Sequence, residues 1–220
     1  MRGRLGKTPR LRLPITSSIL RKMKGVWAQE REYERSLWWA VALTAFFGFC
    51  RSGEITVPQG RVYDPQVHLS FRDLAVDNSL HPNVISLLLH CSKTDQERRG
   101  VRIILGRTDA DLCPVSALLK YLVHRGRGPG ALFMLDGEPL ERTRLVEEVC
   151  RTHTRAGLPA GNFAGHSFHI GAATTASAIG VEDSTIQTLG RWKSAAFKLY
   201  VRPSTSHLAG ISRSLAQSNL

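Results

Sequence analysis

The run LWWAVALTAFFGFC, residues 37–50, constrains this 220-residue chain more than any other segment. It carries no charge, yet it falls short of the roughly 20 apolar residues that cross a bilayer. A helix that is apolar on all sides has to be buried on most of them, so the other elements must be arranged around it. One substantial core is therefore expected, with a hydrophobic fraction of 42% to fill it. The buried helix is predicted over residues 32–49, and the chain turns polar directly after it in CRSGEI, residues 50–55.

The pattern on either side is different. Before it, Thr16 is placed to cap a helix over residues 17–29, in which Ile19, Leu20, Met23, Val26 and Trp27 recur at helical spacing. After it come three short β-like runs, VHLSFRDLAV, NVISLLLHCS and GVRIILG. They are divided by the turn formers Asp77, Asn78 and Pro82 and by the polar loop KTDQERRG. A small three-stranded antiparallel sheet is expected from them. Helical periodicity then returns, starting at Pro114 in PVSALLKYLVHRG. It continues through LERTRLVEEVCRTHTRAG to Gly157, and from 166 to 178 with a stop at Gly180. Shorter helices are predicted at 181–188, 194–201 and 205–216. The fold class is α+β, mainly α, with the sheet inserted near the start. Residues 1–14, MRGRLGKTPRLRLP, form a basic leader that lacks the apolar stretch of a secretory signal, and 11–14 look like a linker.

Charge narrows the partner. Thirty Lys plus Arg against eighteen Asp plus Glu give a formal +12, which favours a polyanion. The basic residues are scattered rather than gathered on one amphipathic helix, so nucleic acid is expected and a membrane surface is not. Cys50, Cys91, Cys113 and Cys150 form no CxxC pair and read as reduced thiols of an intracellular protein.

Three places carry groups suited to chemistry. Arg51 at the end of the buried helix, with Glu54 one turn later, makes either a guanidinium fork for phosphate or a local ion pair. Lys93 sits in the loop between the second and third β-like runs, among Arg98, Arg99 and Arg102, and is either solvated or functional. The last is HSFHIGAATTASAIGVEDSTIQTLGRWKSAAFKLYVR. There Gly171, Ala172, Ala173 and Ala176 allow close helix packing, and His166 stands at a helix start, where the dipole attracts anions. Trp192 and Tyr200 follow, the latter with Phe197 and Leu199 as apolar neighbours and Arg202 beside it. His166 and His169, three apart, also have the spacing of a zinc pair, but no nearby Cys, Asp or Glu completes a ligand set; Glu182 and Asp183 lie past a helix end.

In this order, Arg, hairpin Lys, His, L-G-x-W and Tyr, the chain resembles the catalytic domain of the tyrosine recombinases, or phage integrase family, from about Arg12 onward. The phrases RLPITSSILRKMKGVW, SFHIGAATTASAIG and TLGRWKSAAFKLYVR are most similar to recombinases of DIRS-like eukaryotic retrotransposons. The resemblance implies that residues 15–220 are the catalytic domain and that the family's N-terminal core-binding domain is absent, with 1–14 as its connecting segment. It implies that Tyr200 attacks the scissile phosphodiester and forms a 3′-phosphotyrosyl link, needing no cofactor or metal. Arg51 then braces the non-bridging oxygens, with Glu54 holding that region. Lys93 protonates the leaving 5′ oxygen, and His166 assists proton transfer. Trp192 donates its indole N–H to phosphate, with Arg191 beside it in a supporting role. The partner implied is double-stranded DNA, gripped by a homotetramer that exchanges a C-terminal segment such as HLAGISRSLAQ. The location implied is the nucleus in a eukaryote and otherwise intracellular.

One position departs from the family motif H-x-x-R, because His169 stands where the second arginine belongs. Histidine is shorter and only partly charged near neutral pH. Losing one bidentate phosphate clamp costs on the order of 3 kcal/mol in the transition state, about a hundredfold in rate. Two functional readings follow: a recombinase weakened at His169, or a DNA-binding module that no longer cuts.

Overall fold

The computed structural model describes residues 12–90 and 100–194, together with 197, 198, 210, 216 and 217. The apolar run forms the centre of the fold, as its composition requires. Helix α2 (Glu32–Phe47) buries Leu37, Trp38, Ala40, Val41, Leu43 and Phe46 among others, and it stops two residues short of the predicted end. The reason is local: Phe49 has a left-handed φ of 47°, and the Gly48 and Cys50 N–H groups close on the Thr44 and Ala45 carbonyls.

Helix α1 (Ser17–Trp27) lays Leu20, Met23 and Trp27 against this centre, while Ile19 and Val26 are only half-buried. Thr16 is at the N-cap position but its hydroxyl contacts the Ser18 hydroxyl at 3.0 Å and caps nothing. The Trp27 indole instead bolts α1 to α5 (Arg142–Arg155), donating to Glu148 Oε1 at 2.7 Å. Glu148 also accepts from Thr152 Oγ1 and from Arg151 Nε, so this buried carboxylate is fully partnered. Helix α4 (Pro114–Arg125) covers another side of α2, with Tyr121 fully buried.

The three-stranded sheet has the expected antiparallel order, β1 (Leu74–Val76), β2 (Val84–Leu89), β3 (Val101–Gly106). Its register places Leu87 between Leu74 and Ile103, and Ile85, Leu87, Leu89, Ile103 and Leu105 point into the core. The first β-like run yields only three strand residues. Asp73 folds the residues before them into a 3-10 turn, its carboxylate accepting the Ser70 N–H at 2.8 Å. The same carboxylate holds His90 Nε2 at 2.7 Å, tying down the end of the second run. A second, two-stranded hairpin, β4 (Met134–Leu135) with β5 (Glu138–Pro139), turns through Asp136 and Gly137, both at positive φ.

Past one-turn α3 (Ser52–Ile55), the C-terminal half adds α6 (Ser167–Ala178) and α7 (Asp183–Leu189), which begin one and two residues later than predicted. The first seven residues of α6, Ser167 to Ala173, are buried, and Ala176 with them. Its small residues permit a close approach by the segment from Arg12 to Ile15, whose backbone is strapped across its start through Leu13 N–H to Asn162 O and Ile15 N–H to Ser167 O. A Cβ on Gly171 would fall 1.9 Å from the Ile15 carbonyl oxygen. Most of the helices predicted at 194–201 and 205–216, together with the leader before Arg12, Cys91, Lys93 and Tyr200, fall on residues outside the described set. Among the described residues, Cys50 and Cys113 are free thiols, and no helix is long and apolar enough to cross a membrane.

This packing makes a simple forecast. Alanine raises helix propensity by about 1 kcal/mol over glycine, but at Gly171 the backbone clash outweighs that gain. Gly171→Ala is expected to lower the unfolding free energy by about 1–3 kcal/mol in urea titrations, whereas Gly161→Ala, with open space around it, changes little. A stabilised Gly171→Ala protein would contradict the strapped arrangement.

Candidate functional site

The site begins where the buried helix ends. Arg51 is the N-cap residue of α3, which leaves Glu54 one turn on, facing back toward it. The Arg51 N–H donates to Glu54 Oε2 at 2.8 Å and its Nη1 donates to Oε1 at 3.0 Å, so the carboxylate grips backbone and side chain together. This is the local ion pair that the sequence allowed, and within it the carboxylate fixes the orientation of the Arg51 guanidinium.

A third member arrives from far along the chain. The turn after α7 puts Arg191 at a left-handed φ of 56°, and its Nη2 donates to Glu54 Oε2 at 2.7 Å. The remaining Nη contacts go to backbone carbonyls: Gly48 and Leu189 at 3.2 Å and Phe49 at 2.7 Å. The side chains of Arg51, Arg191 and Glu54 are only 13%, 8% and 4% exposed. Two guanidiniums against one carboxylate leave one positive charge uncompensated among the described residues, in a poorly solvated place, which suits an anion.

Helix α6 is pressed against the same spot. The Ser52 N–H donates to the Gly165 carbonyl at 3.2 Å, and a Cβ on Gly165 would lie 2.1 Å from Ser52 Oγ, so only glycine lets the two segments meet. His166 is thereby the N-cap residue of α6, next to α3. One turn further, His169 is 2% exposed, and neither ring nitrogen makes a hydrogen bond among the described residues. Its ring stands edge-on to Trp192, centroids 4.2 Å apart at 90°. Burial, then the charges of Arg51, Arg191 and His166, drive its pKa down to about 2 against a smaller opposing effect of the Phe49 backbone. His169 is therefore held neutral at pH 7.

The structure gives Trp192 a packing role: its ring covers Gly190, where a Cβ would fall 1.6 Å from Cζ3, and lies 5.7 Å from the ring of buried Phe197. Beneath the site, burial pushes the Cys50 thiol up to about 12, so it is an inert core group. Among the described residues no group of three or more His, Cys, Asp or Glu is arranged to hold a metal ion. The neighbouring guanidiniums would oppose a cation beside His166 and His169 in any case. Arg51, Glu54, His166, His169, Arg191 and Trp192 thus converge, while Lys93 and Tyr200 lie outside the described residues. What sequence reasoning missed is the part Arg191 plays. Its only local signal is the L-G-R turn, and its partner Glu54 lies 137 residues away.

No protein-family model matches the chain, and no curated protein matches it. Solved structures do. The XerH site-specific recombinase in its post-cleavage complex with palindromic difH substrate superimposes with a TM-score of 0.66 at 16% identity, over 94% of this chain and 53% of that one. XerA recombinase gives 0.67 at 15% identity over 99% and 68%, and a lambda integrase dimer bound to a COC' core site gives 0.57 at 17% over 91% and 51%. The chain spans about half the length of XerH. The fold is that of the tyrosine-recombinase catalytic domain: a mainly helical unit carrying a small three-stranded antiparallel sheet.

A buried neutral histidine has a signature in stability. The unfolded chain protonates His169 near its ordinary 6.5, whereas the folded chain does so only near 2, so stability falls as pH drops below about 6.5. Buried His153, its pKa also lowered by burial, adds to the same slope. Between pH 6 and 4, His169→Phe is expected to lose stability less steeply than the native chain by about 1.4 kcal/mol per pH unit, measured by urea unfolding. Equal slopes would mean that His169 is solvated or charged when folded.

Proposed function

We propose that this chain is a DNA strand-breakage and rejoining domain of the tyrosine-recombinase type, acting on double-stranded DNA. The observation that carries the reading is the uncompensated positive charge of Arg51 and Arg191 on Glu54, beside the N-terminus of α6. A phosphodiester in transfer has a poor leaving group and accumulates negative charge, so it needs fixed cations, an acid and a nucleophile. Tyr200 attacks phosphorus, displaces the 5′ oxygen and leaves a 3′-phosphotyrosyl bond. Lys93 supplies the proton to that oxygen, and His166 assists transfer at the tyrosine or phosphate. Rejoining is the same step in reverse.

At His169 the site has a neutral imidazole where the family motif has a permanent charge, which weakens cleavage about a hundredfold. The phrases SFHIGAATTASAIG and TLGRWKSAAFKLYVR support descent from a DIRS-like retrotransposon. With that origin we place the protein in the nucleus of a eukaryote, or inside the cell otherwise, working as a homotetramer on DNA. The second reading, a DNA-binding module that no longer cuts, is favoured by the burial and neutrality of His169.

A pool of duplexes of randomised sequence, each nicked so that cleavage cannot be reversed, separates the two. A covalent protein–DNA adduct is expected that vanishes in Tyr200→Phe and forms about a hundredfold faster in His169→Arg. DNA binding without adduct, even in His169→Arg, would establish the binding module instead.

A further inference from the structure

Arg191 cannot itself clasp a phosphate as it stands. Its two Nη atoms are already directed at Gly48, Leu189 and Phe49 carbonyls and at Glu54, and its Nε is buried without a partner among the described residues. Arg51 differs. It meets Glu54 through Nη1 and reaches Gly190 O only by a long 3.4 Å contact from Nη2, and its side chain is the more exposed of the two. Were Glu54 to face Arg51 alone, the two charges would cancel. With Arg191 held on the other carboxylate oxygen, they do not.

Resting on the phosphate-site reading above, we propose that Arg191 is a positioning residue that acts through Glu54: by sharing the carboxylate it leaves the charge of Arg51 available to an oxyanion. The positive φ of Arg191 and the absence of room for any side chain at Gly190 fit a turn shaped to deliver this guanidinium. In this arrangement the second guanidinium of the site enters from the turn after α7, while the α6 position that faces it, His169, stays uncharged.

The test uses tungstate, a tetrahedral oxyanion, as probe, and its dose-dependent rise in the melting temperature of the full chain as readout. The native chain is expected to show a saturable rise that Arg51→Gln abolishes. Arg191→Gln is expected to weaken tungstate binding about tenfold, as removal of one charge from a poorly solvated cluster does, and Arg191→Lys to keep most of it. Adding Glu54→Gln to Arg191→Gln again leaves one guanidinium uncompensated, so the double variant is expected to recover binding to within about threefold of native. A purely architectural Arg191 would give the opposite order, the double variant being worse than the single one. That order, or native-like binding by Arg191→Gln, overturns the inference and leaves the phosphate site intact. No rise in the native chain, or one that survives Arg51→Gln, overturns the phosphate site itself.

Discussion

The carboxylate of Glu54 is the interaction on which the functional half of this protein depends. It takes the backbone N–H and guanidinium of Arg51 and the guanidinium of Arg191, and through Arg191 it reaches the carbonyls that end α2. Three segments that are remote in sequence or pointed in different directions are fastened at one buried charge. Removing one partner from such a cluster leaves a charge in a poorly solvated place, a loss of about 3–5 kcal/mol. Because the arginines outnumber the carboxylate, the bolt is also electrically unfinished. The geometry that stabilises the turn is the geometry that attracts an anion.

His169 has to be understood against that background. A third cation there would share the single carboxylate with two others, and the fold instead keeps an imidazole that burial and the neighbouring charges hold neutral. Trp192 closes the space over it, and Phe197 backs Trp192. The departure from H-x-x-R thus lies in the interior wall of the site rather than on its rim. The strap from Arg12 to Ile15 presses on the same helix two residues further on, at Gly171, so the small-residue stripe of α6 serves packing on one side while its start serves the site.

Much of this was legible from residues alone, and for physical reasons. An uncharged apolar run has few places to go but the centre, and α2 took it. Arg51 and Glu54 are one turn apart, so their pairing is local chemistry. Three β-like runs separated by turn formers made a three-stranded sheet. What escaped depends on contacts across the chain or on a single side chain overriding a pattern. Asp73 shortened β1 by binding the Ser70 N–H, α3 is one turn long, and the LDGEP hairpin was passed over despite its Asp-Gly signal. Arg191 was named only as support because nothing in its neighbourhood announces Glu54. Lys93 and Tyr200 rest on their order in the chain alone, since both lie outside the described residues.

The most direct measurement is a crystal of the full chain soaked in tungstate, read by the anomalous difference map of tungsten. Unfinished compensation at Glu54 requires a tungsten peak within hydrogen-bonding reach of the Arg51 guanidinium, with Arg191 still seated on Glu54. Tungsten bound elsewhere on the surface, with nothing beside Arg51 at saturating concentration, would contradict it.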